Sequence, residues 1–209
     1  LRKLDTHTAD PYPAIKGWER SQAWGVSVAM VPSPRISVWD VMIPIVFILN
    51  FLRTRERREL FVQNHLYTKM LALDSAREIM EGKVFREEAF SRIRKKTDEA
   101  LAAESSDIYS EAIREAQMAE VSLLLEHYLR LMASGGGDYA ELVRNAYPNR
   151  RDYELFLNRL EKAEQDVIEA ARETMGNQVD PAALATLTEE TGRLRRKSLQ
   201  RIYESMTGP

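Results

Sequence analysis

The sequence predicts an all-α protein: an antiparallel bundle of long helices, preceded by an irregular N-terminal arm and an apolar, proline-kinked helix. Three observations lead there. Only 9 glycines and 8 prolines punctuate 209 residues, too few for the many tight turns of an all-β chain. From residue 60 onward apolar residues recur every three or four positions, which brings them to one face of a helix. Between those stripes stand helix signals, with Ser, Asn or Asp ahead of a stripe and glycine behind it.

Size and charge narrow the function classes. A chain of this length buries a real core, and 44% apolar with 30% charged residues is ordinary for a globular protein. The 30 basic and 32 acidic groups nearly cancel to a net charge of −2, so no global field recruits nucleic acid. Cysteine is absent, which excludes disulfides, thiol catalysis and cysteine-ligated metal centres. The opening residues LRKLDTHTADPYP hold no apolar core of signal-peptide type. The first residue is Leu1 rather than Met, so the native start is left open.

Taken in order, residues 1–35 read as an irregular arm. Pro11, Pro13, Pro32 and Pro34 argue against a long helix. The uncharged run Ala23 to Val31, β-branched at positions 26, 28 and 31, is expected as a strand or extended segment. Residues 36–59 form an apolar segment with a basic flank. Ser37 and Asp40 offer a cap, and Pro44 kinks a helix that fits from Val38 to about Glu81. Residues 60–209 make the bundle. Val62, Leu66, Met70, Leu73, Ala76 and Met80 carry its first stripe, which Gly82 stops. A second helix fits Phe85 to Ala103. Ser105 or Ser106 caps a third, whose small-residue stripe Tyr109, Ala112, Ala116, Ala119 and Leu123 suits close helix–helix approach. Gly135 to Gly137 end that helix, and a short one spans Tyr139 to Ala146 before Pro148. Asn149 starts the cleanest heptad, with Tyr153, Phe156, Leu160, Ala163, Val167 and Ala170 as the helix–helix interface. Asp180-Pro181 opens the last helix, striped by Leu184, Leu187, Leu194 and Ile202.

The apolar segment dominates the functional reading. Between Ile36 and Leu52 the chain has one acid, Asp40, and no base. Trp39, Val41, Met42, Ile43, Ile45, Val46, Phe47, Ile48, Leu49, Phe51 and Leu52 make up its greasy surface. At roughly 1.5 kcal/mol or more per fully buried large side chain, this surface has to be covered. It is short for a bilayer span, which takes about 20 apolar residues. Trp39 at one end and Arg53, Arg55, Arg57 and Arg58 at the other suit partial insertion, with the arginines on anionic lipid headgroups. The leading expectation is therefore a non-catalytic scaffold or accessory subunit on the cytoplasmic face of a membrane, with anionic lipid as partner. It assembles with itself or a membrane protein complex through the coiled-coil-like face Tyr153 to Thr174 and the small-residue face of Tyr109 to Leu123. The alternative is a soluble homo-oligomer, cytoplasmic, that buries residues 36–52 between subunits.

Nothing in the sequence calls for catalysis, a metal or a cofactor. His7, His65 and His127 stand apart, and no Glu-x-x-His occurs. Glu111 and Glu115 share a helix face, as charged bundle helices commonly arrange. Gly135-Gly136-Gly137-Asp138 lacks the Gly-Lys-Ser/Thr of a phosphate loop. The basic runs Arg92 to Lys96 and Arg193 to Lys197 read as solvated faces unless they converge with Arg53 to Arg58 on one anionic surface.

Overall fold

The computed structural model describes residues 10–30, 57–103, 109–176 and 181–204. Within them the chain forms seven helices: α1 (Pro11–Ala29), α2 (Arg57–Met80), α3 (Arg86–Ala103), α4 (Glu111–Ser134), α5 (Tyr139–Ala146), α6 (Arg150–Met175) and α7 (Pro181–Glu204). Side-chain caps fix where several begin. Asp10 accepts from the Tyr12 N–H at 3.0 Å, Asp138 from Glu141 at 2.8 Å and Asn149 from Arg151 at 2.9 Å; each satisfies a donor with no partner in its own helix. The cap of α4 is Ser110, whose hydroxyl accepts from the Ile113 N–H; Ser105 and Ser106 lie outside the described residues. Gly82 closes α2 in a left-handed turn at φ 68°. There the N–H of Lys83 reaches Glu78 O and that of Gly82 reaches Ile79 O, the paired bonds of a Schellman end.

Residues 11–29 correct the expectation of extended backbone, because they form α1. Pro11 and Pro13 both sit in its first turn, where the missing N–H groups have no helical acceptor in any case. One face of the helix is inward: Ile15, Ala23 and Val26 are buried, together with Glu19, while Val28 is exposed.

Helices α1 and α2 run antiparallel, as do α4 and α6. Along α1 and α2, Tyr12 pairs with Asp74 and Glu19 with Lys69, while Ala23 clusters with Val62. The start of α4 meets the end of α6 where Ser110 and Thr174 hydroxyls lie 2.6 Å apart. Glu164 of α6 binds Arg195 of α7. Helix α4 is central, with α2 and α6 as its main neighbours. Its Leu124, Leu125, Tyr128 and Leu131 are all but inaccessible and join Leu73, Leu142 and Ile15 in one core.

This placement corrects the small-residue stripe. Ala112 and Ala119 are exposed and Ala116 and Leu123 half-buried, while Ile113, Gln117 and Val121 point inward. Alanines carry too little apolar area to orient a helix against Ile113, Leu124 and Tyr128. Tyr153, Leu160, Ala163, Val167 and Ala170 are buried inside the chain, and Phe156 packs on the same core.

The anionic-lipid partner is overturned. Among the described residues no helix is long and apolar enough to cross a membrane, and several members of two of the basic runs are engaged by the protein's own acids. Arg92 binds Glu88 and Glu78, Arg94 binds Glu115, Arg193 binds Glu190 and Arg195 binds Glu164. Arg94 thus ties α3 to α4 and Arg195 ties α7 to α6, so these runs are not one footprint. The insertion residues Trp39, Val41, Met42, Ile43, Ile45, Val46, Phe47, Ile48, Leu49, Phe51 and Leu52, with Arg53 and Arg55, lie outside the described residues; Arg57 and Arg58 open α2.

Two glycine substitutions check the turns. At Gly82 a Cβ meets nothing within 4 Å, so Gly82→Ala costs about 1 kcal/mol of backbone strain. At Gly136, φ 155°, a Cβ falls 2.9 Å from the Leu142 backbone N, and Gly136→Ala costs more, about 2 kcal/mol or above. Urea unfolding curves of the two variants measure the difference.

Candidate functional site

Charged residues stand at core positions of three helices. In α2, Lys69 continues the spacing Val62, Leu66, Leu73 and Ala76; in α1, Glu19 lies between Ile15 and Ala23; in α4, Glu120 lies between Gln117 and Leu124. The helices that bury those stripes have to bury the charges too. Lys69 Nζ meets Glu19 Oε2 at 2.9 Å, with 9% and 8% of the side chains exposed. Arg195 meets Glu164 at 2.6 Å, with 16% and 20% exposed. Glu120 has a single weak partner, the Thr68 hydroxyl, which donates at 3.3 Å.

This cluster lines a cavity of about 80 Å³ between α2, α4, α6 and α7. A second cavity of about 50 Å³ reaches toward α1. His65, Lys69, Thr191 and Arg195 form walls of both. The Thr191 hydroxyl is buried there without a hydrogen-bond partner.

Electrostatics sets Glu120 apart from Glu164. Burial, with the adjacent Glu164 charge, pushes Glu120 up to about 7, against a weaker pull from Lys69. Burial acts on Glu164 in the same sense, but the Arg195 guanidinium outweighs it and holds Glu164 below the usual carboxylate range. His65 is lowered to about 3, first by burial and then by Lys69. Near neutral pH the cluster thus holds two ion pairs, a neutral imidazole and a Glu120 poised between charged and uncharged.

His127 belongs to an aromatic set on the other side of Lys69. Its Nδ1 lies 2.9 Å from the Tyr147 hydroxyl and its Nε2 3.4 Å from that of Tyr139. The ring stacks on Phe156 with centroids 4.1 Å apart, and Trp18 stacks on Tyr139 at 4.4 Å. Burial, then Lys69 and Arg130, lowers His127 to about 3. It is a neutral core histidine, on a different face from exposed Glu126. Glu111 and Glu115 both bind Arg114, which also holds Asp98 of α3; they brace two helices.

Composition and motifs in the sequence do not single out Lys69, Glu120 or Glu164, and Arg195 sits in a run that reads as a solvated face. The available signal was register, since Glu19, Lys69 and Glu120 keep heptad spacing with buried apolar neighbours. No known protein family, curated protein or solved structure matches the chain, so its function is argued from its own residues.

Two measurements probe the cluster. Lys69→Met strands the buried Glu19 charge and destabilises by about 3–5 kcal/mol, whereas joint replacement with Glu19→Leu recovers most of that loss in chemical denaturation. The pH response has opposing parts. Glu120, raised from 4.5 to about 7, contributes stability that is full below about pH 4.5 and is lost as pH rises through 7. His65 and His127, lowered from 6.5 to about 3, contribute stability present above 6.5 and lost as pH falls toward 3. Glu120→Gln removes the first part alone, so its advantage over wild type grows by up to about 3 kcal/mol between pH 4.5 and 7.

Proposed function

We propose that this chain is a helical interaction protein that assembles with copies of itself and works by contact. The carrying observation is on α1, where Trp24 and Val28 are 50% and 55% exposed one turn apart. Half-wet indole and valine side chains on one face are the composition of an interface core. The chain continues from that helix end toward residues 36–52, whose ten large apolar side chains between Val41 and Leu52 also need cover. A second copy supplies cover for both at once. The heptad face of α6 is already spent on the protein's own core, so the contact falls to α1 and the segment after it. The buried histidines are engaged by neighbours and neutral, which fits a role without catalysis.

Light scattering on the eluting protein tests this. Wild type is expected at a multiple of 24.1 kDa. Aspartate at Ile45, Phe47 and Leu49, or Trp24→Arg with Val28→Glu, shifts the mass toward a single chain while the helical circular dichroism is kept. A wild-type mass of one chain at every concentration sinks the proposal.

A further inference from the structure

We infer that the cavity between α2, α4, α6 and α7 is a binding site for a small organic cation, an alkylammonium whose charge rests on Glu120. Its volume, about 80 Å³, is several times the ~10–15 Å³ that admits one water, so it has room for a ligand of several non-hydrogen atoms. Charge decides the class of ligand. The wall carries Glu120, Glu161 and Glu164 against Lys69 and Arg195. Both cations are already engaged, Lys69 by Glu19 and Arg195 by Glu164. An anion would find no unspent positive charge. Glu120, by contrast, is 7% exposed, and among the described residues no ammonium or guanidinium lies within ion-pair distance of it.

A buried carboxylate in that condition takes up either a proton or a cation. The titratable groups that share its cavity include Lys69 and neutral His65 from α2, Glu161 and Glu164 from α6, and Arg195 from α7. Burial and Glu164 hold it near 7, so at neutral pH the proton is displaced by an ammonium at little cost. The Thr191 hydroxyl, buried without a partner, gives the ammonium a second acceptor. The rest of the wall suits an alkyl chain, with Val167, Ile168 and Leu187 on α6 and α7. Phe61, stacked on His65 at 5.7 Å, adds an aromatic face that tolerates a nearby cation. Gln165 is exposed and Glu161 and Thr188 are half-buried, which puts the mouth between α6 and α7, where acidic Glu161 favours entry of a cation.

The test uses the full chain at pH 7 with n-butylamine, and n-butanol and butyrate as neutral and anionic matches. Butylamine is expected to raise Tm saturably, and the two others not to. In wild type, its binding removes the infrared carbonyl band of a protonated carboxyl, and protons appear in the buffer. Glu120→Gln weakens butylamine binding at least tenfold, whereas Glu161→Gln at the mouth weakens it less than threefold. Equal effects of butanol and butylamine overturn the inference, as does an unchanged infrared band at saturation. Undiminished binding to Glu120→Gln of native helical content overturns it as well. Oligomeric mass is measured in the same samples, so failure here is separable from failure of the self-association reading.

Discussion

The ion pair between Glu19 and Lys69 is the constraint around which the bundle is arranged. Its atoms meet at 2.9 Å with more than nine-tenths of each side chain out of water. Desolvating two charges costs several kcal/mol apiece, and only mutual approach at hydrogen-bond distance offsets it. That requirement ties α1 to α2 at one register: shifting either helix by one residue carries a charge into apolar surroundings. The same register sets Tyr12 beside Asp74 and Ala23 beside Val62. Here, burial of charge specifies the alignment while the apolar core, centred on Leu73, Leu124 and Tyr128, supplies the driving force.

Charged side chains pack less tightly than leucines, and the two cavities follow from this. They lie on either side of a wall formed by His65, Lys69, Thr191 and Arg195, where long polar chains have to reach partners instead of filling space. Polar groups at the centre of a bundle are tolerated when they are paired. Three of the four charges in the two ion pairs come from separate helices around the cavity, and the fourth from α1. Among the described residues Glu120 has no cation within ion-pair distance and accepts a weak hydrogen bond from Thr68. It is also the group whose protonation responds to small changes near neutral pH.

Exposed apolar surface is distributed differently from the polar interior. Trp24 and Val28 share one face of α1, while Met80 and Phe85 flank the Gly82 turn. On α3 and α7, Arg92, Arg94, Arg193 and Arg195 meet acids on their own or adjoining helices, which engages part of the basic charge of both helices.

Local chemistry alone dictated much of the fold. Apolar spacing, the Asn149 cap, and the glycines at 82 and 135 placed the later helices to within a few residues, because those effects act over one or two turns. The heptad of α6 likewise announced its buried face. Two things escaped that reasoning. Prolines at positions 11 and 13 resembled breakers, yet each is harmless in a first turn, and only the position of the Asp10 cap distinguishes the cases. The inward face of α4 and the burial of Lys69, Glu120 and Arg195 depended on which helices lie on either side of them. A charge in a stripe is solvated on an outer helix and desolvated on a central one, so its role follows from tertiary neighbours and not from its spacing.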